Sequence, residues 1–145
     1  SNGILYIADQ VNSRIRYINL DTGIINLFAG NGGSTFTGDN GPATSAMLNQ
    51  PNSVWGDSEG IIYIADSSNH RVRRVDAGGI ITTFAGTGTA TSTGDNGPAT
   101  SATLNVPSDV KGDSAGNIYI SEASGCRIRF ISVSTGIITS IVGTG

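Results

Sequence analysis

Three stretches of the chain place an acid and an arginine five residues apart: Asp9 and Arg14, Asp66 and Arg71, Glu122 and Arg127. An acid facing a guanidinium across a four-residue loop forms a charge-assisted hydrogen-bonded pair once the flanking strands zip together. The arrangement recurs, so it reads as a fastening that holds each hairpin between neighbouring units, and not as one reactive centre. His70 is the sole histidine and Cys126 the sole cysteine, and they fill corresponding slots of successive repeats. An imidazole can serve as general base or metal ligand. No second histidine or carboxylate cluster lies beside His70 in the sequence, so it reads as a solvated loop residue. Cys126 has no neighbouring histidine to activate it and reads as a contact residue or free thiol. A single cysteine excludes an internal disulfide and a cysteine-based zinc site.

Asp39-Asn40-Gly41 and Asp95-Asn96-Gly97 offer oxygens that suit calcium, but not the spaced series of carboxylates that a strong site needs. A turn leading into a helix start explains the same residues. The glycine-rich stretches lack a following Gly-Lys-Ser/Thr, which removes a phosphate-loop reading. Neither metal nor cofactor is expected. Thr35, Thr37, Thr87, Thr89, Thr91, Ser92 and Thr93 form two hydroxyl-rich loops, read as flexible linkers or as O-glycosylation sites. No Asn-x-Ser/Thr sequon occurs in the chain.

The elements that must position these residues follow from a repeat. GDNGPATSA occurs at Gly38–Ala46 and again at Gly94–Ala102, 56 residues later. Phe28-Ala29-Gly30 recurs as Phe84-Ala85-Gly86, and Tyr6-Ile7-Ala8-Asp9 as Tyr63-Ile64-Ala65-Asp66 and Tyr119-Ile120-Ser121-Glu122. Each period holds four strand-like pieces, the arithmetic of a β-propeller blade. The Tyr-bearing piece is apolar almost throughout, so its sheet is buried on both faces. Asp57-Ser58-Glu59-Gly60 and Asp113-Ser114-Ala115-Gly116 carry a type I turn signature ahead of it. Pro98 is expected to open one or two helical turns reaching Leu104. The fold expected is all-β, with blades of four antiparallel strands over about 1–30, 51–86 and 107–143, joined by long loops 31–50 and 87–106. About eleven strands are expected, grouped three, four and four, because the turn Ser1-Asn2-Gly3 leads straight into the second strand of the opening blade.

The hairpin segments GILYIADQVNSRIRYI (Gly3–Ile18), GIIYIADSSNHRVRRV (Gly60–Val75) and GNIYISEASGCRIRFI (Gly116–Ile131) resemble the NHL repeat. The GDNGPATSA insertion is similar to a long-blade form found in teneurin-type receptors and in bacterial extracellular proteins. The resemblance implies a propeller, usually six-bladed and commonly an interaction surface. The third copy departs from the pattern, with Ser121, Glu122 and Gly125 where the second has Ala65, Asp66 and Asn69.

Charge narrows the partners. The chain has 145 residues, a net charge of −3 and only eight Lys and Arg, which disfavours nucleic acid. No apolar run approaches a membrane span. The expected function is a non-enzymatic structural or protein-interaction module of an extracellular or cell-surface assembly. The alternative is a propeller enzyme, a metal-dependent lyase or hydrolase, with ligands from blades outside this segment. Two and a half periods do not close a ring. The outermost faces, expected to bear Leu5, Ile7, Ile15 and Leu27 at one end and Ile118, Ile120, Ile128 and Ile138 at the other, would then need covering. Further blades of the same polypeptide or head-to-tail copies would do so.

Overall fold

The structure, a computed structural model, describes residues 3–144; Ser1 and Asn2 of the expected opening turn lie outside them. Three antiparallel sheets follow one another along the chain. Blade 1 comprises β1 (Ile4–Asp9), β2 (Arg14–Asn19) and β3 (Ile25–Ala29). Blade 2 comprises β5 (Pro51–Gly56), β6 (Ile62–Asp66), β7 (Arg71–Val75) and β8 (Ile80–Ala85). Blade 3 comprises β10 (Pro107–Gly112), β11 (Ile118–Glu122), β12 (Arg127–Ile131) and β13 (Ile137–Val142). The grouping three, four and four stands as expected. Two further strands of two residues each, β4 (Gly41–Pro42) and β9 (Gly97–Pro98), were not legible in the sequence.

Those two strands come from the GDNGPATSA units. The linker leaving blade 1 lays Gly41–Pro42 along β8, the outer strand of blade 2, opposite Ile81 and Ile80. The linker leaving blade 2 does the same to β13 with Gly97–Pro98. Pro98 therefore ends a strand and caps only a single 3-10 turn, Ala99–Ser101, where one or two helical turns were expected. Its extended ψ of 135° commits it to the ladder instead of the helix.

The linkers are ordered core elements, not flexible spacers. Ala43, Ala46 and Leu48 are buried in the cluster between blades 1 and 2, with Ile15, Ile62, Ile64, Val75 and Ile81. Ala99, Ala102 and Leu104 repeat the arrangement between blades 2 and 3, with Tyr63, Val72, Ile118, Ile120 and Ile138. Burying one Leu side chain contributes about 1.5–3 kcal/mol, so each linker fastens two blades. Small residues are needed where it passes close to backbone. A Cβ on Gly38 would lie 2.6 Å from the Ala46 Cα, at a φ of +88°.

The side chains alternate strictly. Ile62 and Ile64 face blade 1, whereas Tyr63 and Ala65 face blade 3. The same alternation corrects one expectation: Ile118, Ile120 and Ile138 are fully buried against blade 2, not bare, and Ile15 is fully buried against blade 2 as well. A strand apolar on both faces does not announce which face turns inward. Leu5 and Leu27 do lie on the uncovered side of blade 1, 50% and 39% exposed.

Candidate functional site

The hairpin registers oppose Asp9 to Arg14, Asp66 to Arg71 and Glu122 to Arg127, as the loop length requires. The ion pairs nevertheless run diagonally, which corrects the expected pairing. Asp66 meets Arg73 at 3.4 Å, Glu122 meets Arg129 at 3.3 Å, and Asp9 meets Arg16 at 3.9 Å. The arginine directly opposite each acid is engaged with backbone carbonyls, and the diagonal neighbour lies within reach of a long side chain.

Arg14, Arg71 and Arg127 clamp the exit of their blades instead. Arg14 donates to the Asn31 carbonyl at 3.0 Å, Arg71 to the Gly86 carbonyl at 3.0 Å and to Thr87, and Arg127 to the Thr144 carbonyl at 2.7 Å. Asn31, Thr87 and Thr144 are equivalent positions, so this contact is common to all three repeats.

Arg73 and Arg129, fully buried, are the cluster residues that loop-based reasoning missed. Arg73 bridges Asp66 and the linker residue Asp39, the latter at 2.6 Å; the Asp39 carboxylate also accepts from the Thr83 hydroxyl at 2.7 Å. Arg129 bridges Glu122 and Asp95, the latter at 2.8 Å. The Asp-Asn-Gly turns form as expected, with Asn40 and Asn96 both at φ 64°, but their carboxylates serve the arginines. The available signal was an Arg two positions beyond the first in every hairpin, together with an unvarying Asp in both linkers.

Burial pushes the Asp66 carboxyl up to about 6, against the pull of the Asn49 N–H, the Asn69 amide and Arg73. Blade 3 solves the same packing problem with different residues. Glu122 is one methylene longer than Asp66, and Gly125 leaves the space that Asn69 fills in blade 2. A Cβ on Gly125 would collide with the Glu122 carboxylate and Ser92. Ser92, which stands where Phe36 covers Arg73 in blade 2, donates to Glu122 at 2.6 Å. The departures of the third repeat compensate one another inside one buried cluster.

Ser92 is accordingly half-buried, whereas Thr35, Thr37, Thr87, Thr89, Thr91 and Thr93 are exposed, although the Thr35 hydroxyl donates to Met47 and those of Thr91 and Thr93 bond to Thr103. His70 is not simply solvated: it is half-buried at φ 53°, and its Nδ1 accepts from the Val106 N–H at 3.2 Å. Cys126 is an exposed free thiol. Among the described residues, no group of three or more His, Cys, Asp or Glu is placed to hold a metal ion, and no helix is long and apolar enough to cross a membrane.

An open cleft of about 1080 Å³ lies between blades 2 and 3. Trp55, Tyr63, Arg74 and Phe84 form one wall, and Gly112, Ile131 and Val133 the other. The Trp55 indole lies against Gly112, where any Cβ would overlap it. Burial pushes the Tyr63 hydroxyl up, with the neighbouring Arg74 pulling the other way. Arg74 makes no ion pair among the described residues. The corresponding cleft between blades 1 and 2 is about 470 Å³. Tyr17 and Phe130 occupy the Arg74 position in the other blades, and Lys111 the Trp55 position in blade 3.

The Teneurin NHL domain family matches residues 30–93. Protein SUPPRESSOR OF QUENCHING 1, chloroplastic, of Arabidopsis thaliana is 32% identical over 139 residues, 90% of this chain and 13% of that protein. NHL repeat-containing protein 2 of Homo sapiens is 28% identical over 149 residues, 93% of this chain and 20% of that protein. A crystal structure of a protein of unknown function from Bacteroides thetaiotaomicron superposes with a TM-score of 0.75 at 31% identity, covering 86% of this chain and 31% of that one. The chain thus spans 13–20% of the length of these curated relatives.

Proposed function

We propose that this chain, which belongs to the NHL-repeat β-propeller family, works as a non-enzymatic structural and protein-interaction module, and that it binds its partner in the cleft between blades 2 and 3. The observation carrying this reading is how charge is deployed. The arginines and acids of the blade-interface clusters are consumed in joining blade to linker, while Arg74 faces an open cleft beside Trp55. The cleft mixes the aromatic wall with polar groups: Asp57 and Asp113 also line it but accept from the N–H groups of their own turns, and Glu59 is exposed. Arg74 is left without an ion pair among the described residues, which suits an extended peptide segment carrying a carboxylate among aliphatic residues. An extracellular or cell-surface setting is supported by the Teneurin NHL match and by the exposed threonines of the linkers, which suit O-glycosylation.

Trp55 is the sole tryptophan, so its emission reports the cleft directly. Titration with acidic aliphatic peptides is expected to shift that emission saturably, and Arg74→Gln to weaken the response at least tenfold. Basic peptides of equal length should leave it unchanged. A flat titration with both peptide classes overturns the proposal. Metal-dependent turnover of a small-molecule substrate would favour the lyase or hydrolase reading in its place.

A further inference from the structure

We propose that His70 is a pH-sensitive latch between blades 2 and 3: as the neutral imidazole it holds the start of β10 to the tip of the blade 2 hairpin, and once protonated it lets go. The ring follows the 3-10 turn Ser67–Asn69, is half-buried, and its Nδ1 accepts from the Val106 N–H at 3.2 Å. An accepting Nδ1 leaves the single ring proton on Nε2. A second proton would go to Nδ1 and set two donors against each other. Imidazoles change charge between about pH 5 and 8, so the bond is present above that range and lost as pH falls through it.

The residue held is one that moves when released. Val106 keeps a left-handed φ of 53°, which is costly for a β-branched side chain. It also precedes Pro107, which pushes its neighbour toward extended backbone. The Val106 carbonyl accepts from the Ala123 N–H at 2.9 Å, so one strained residue ties the hairpin tips of blades 2 and 3 together. A turn of Val106 to the extended form breaks both bonds at once. Beside it the Ser67 hydroxyl donates to the Pro107 carbonyl, a contact that does not titrate and about which the released segment can pivot.

The charged groups around the latch are engaged elsewhere. In the same hairpin Asp66 pairs with Arg73, and Arg71 donates to the Gly86 and Thr87 carbonyls. On β10, Asp109 accepts from Ser53 and Lys111. Asp95 of the linker and Glu122 of the blade 3 hairpin both pair with Arg129. His70 makes no ion pair among the described residues, so no partner offsets the bond lost on protonation. The junction between blades 1 and 2 is a built-in reference. Ser13 stands there at the His70 position and Gln50, at φ 50°, at the Val106 position, and neither side chain titrates in this range.

The test is native-state amide exchange of the full chain, followed by NMR, with each rate taken relative to the intrinsic rate at the same pH. Val106 and Ala123 are expected to lose about fivefold or more of their protection between about pH 7.5 and 5. Ser68, whose N–H binds the Asn49 carbonyl at the blade 1–2 junction, should keep its own. His70→Gln removes the titrating ring and should abolish the pH response of both amides. Asp66→Asn removes the other group that changes charge near pH 6 and should leave the response intact. Val106→Asn relieves the backbone strain and should keep Ala123 protected at both pH values. Protection of Val106 and Ala123 that is independent of pH in the unmodified chain overturns the proposal. A response that survives His70→Gln, or that disappears with Asp66→Asn, overturns it as well, and loss of Ala123 protection at low pH in Val106→Asn overturns the strained residue as the moving part.

Discussion

Arg73 pairs with Asp66 at 3.4 Å even though Arg71 is the residue directly opposite that acid in the hairpin. Both side chains are fully buried, so their strong mutual attraction is offset by the cost of desolvation and depends on the further hydrogen bonds that satisfy both groups. Arg73→Ala is expected to destabilise the chain by about 3–5 kcal/mol, because Asp66 and Asp39 would lose their shared cation. Arg71→Ala removes contacts to two carbonyls and the packing on Phe36, and should cost about 1–2 kcal/mol. Urea unfolding of the two variants checks the order; a larger loss for Arg71→Ala would contradict it.

Glu122, Gly125 and Ser92 form one solution, and Asp66, Asn69 and Phe36 another. Gly125→Asn alone should destabilise by about 1–3 kcal/mol through overpacking against Glu122. Combined with Glu122→Asp, most of that loss should be recovered, giving a coupling of about 0.5–3 kcal/mol in a double-mutant cycle. Additive losses would mean that the two blades do not share one packing rule.

The pH profile should carry the mark of Asp66. Its carboxyl is raised to about 6 in the folded chain, above an unfolded value of about 3.9. The folded state therefore binds the extra proton, and this contribution is fully present below pH ~4 and lost as pH rises through about 6. Asp113 works in the opposite sense: the Asn117 amide holds its carboxyl below the usual range, a contribution that fades as pH falls below ~4. Thermal unfolding should show wild type gaining on Asp66→Asn between pH 7 and 4. A difference independent of pH would refute this.

Val106 holds φ 53°, a left-handed conformation that a β-branched side chain adopts at a cost of about 1–2 kcal/mol. The Val106 N–H donates to His70 Nδ1 and its carbonyl accepts from the Ala123 N–H, which fixes the strained backbone. Val106→Asn should raise stability by roughly 0.5–1 kcal/mol, since Asn tolerates this region. His70→Ala should lower it by about 1 kcal/mol by leaving that N–H without its acceptor. Melting curves of both variants settle the signs.

The blade arithmetic was legible because hydrophobic period and turn residues recur at 56 residues, and those features are local. Partner choice within the clusters was not. Loop length fixes the residue opposite Asp66, but Arg71 is taken up by the Gly86 and Thr87 carbonyls and the acid pairs with Arg73. The linkers misled by composition: Thr, Ser and Gly suggested mobility, whereas Ala43, Ala46 and Leu48, spaced by three and two, mark a buried edge. Trp55 and Arg74 drew no attention because a single Trp or Arg in a strand carries no pattern. Only the assembled cleft brings them together.

Perimeter strands are where sheet proteins seed fibrils, since unpaired N–H and C=O groups recruit any extended chain. Gly41–Pro42 and Gly97–Pro98 occupy that position on blades 2 and 3, and each ends the ladder with a residue that has no N–H to offer. The linker that joins two blades is thereby also the stop that keeps the second from growing by templated addition.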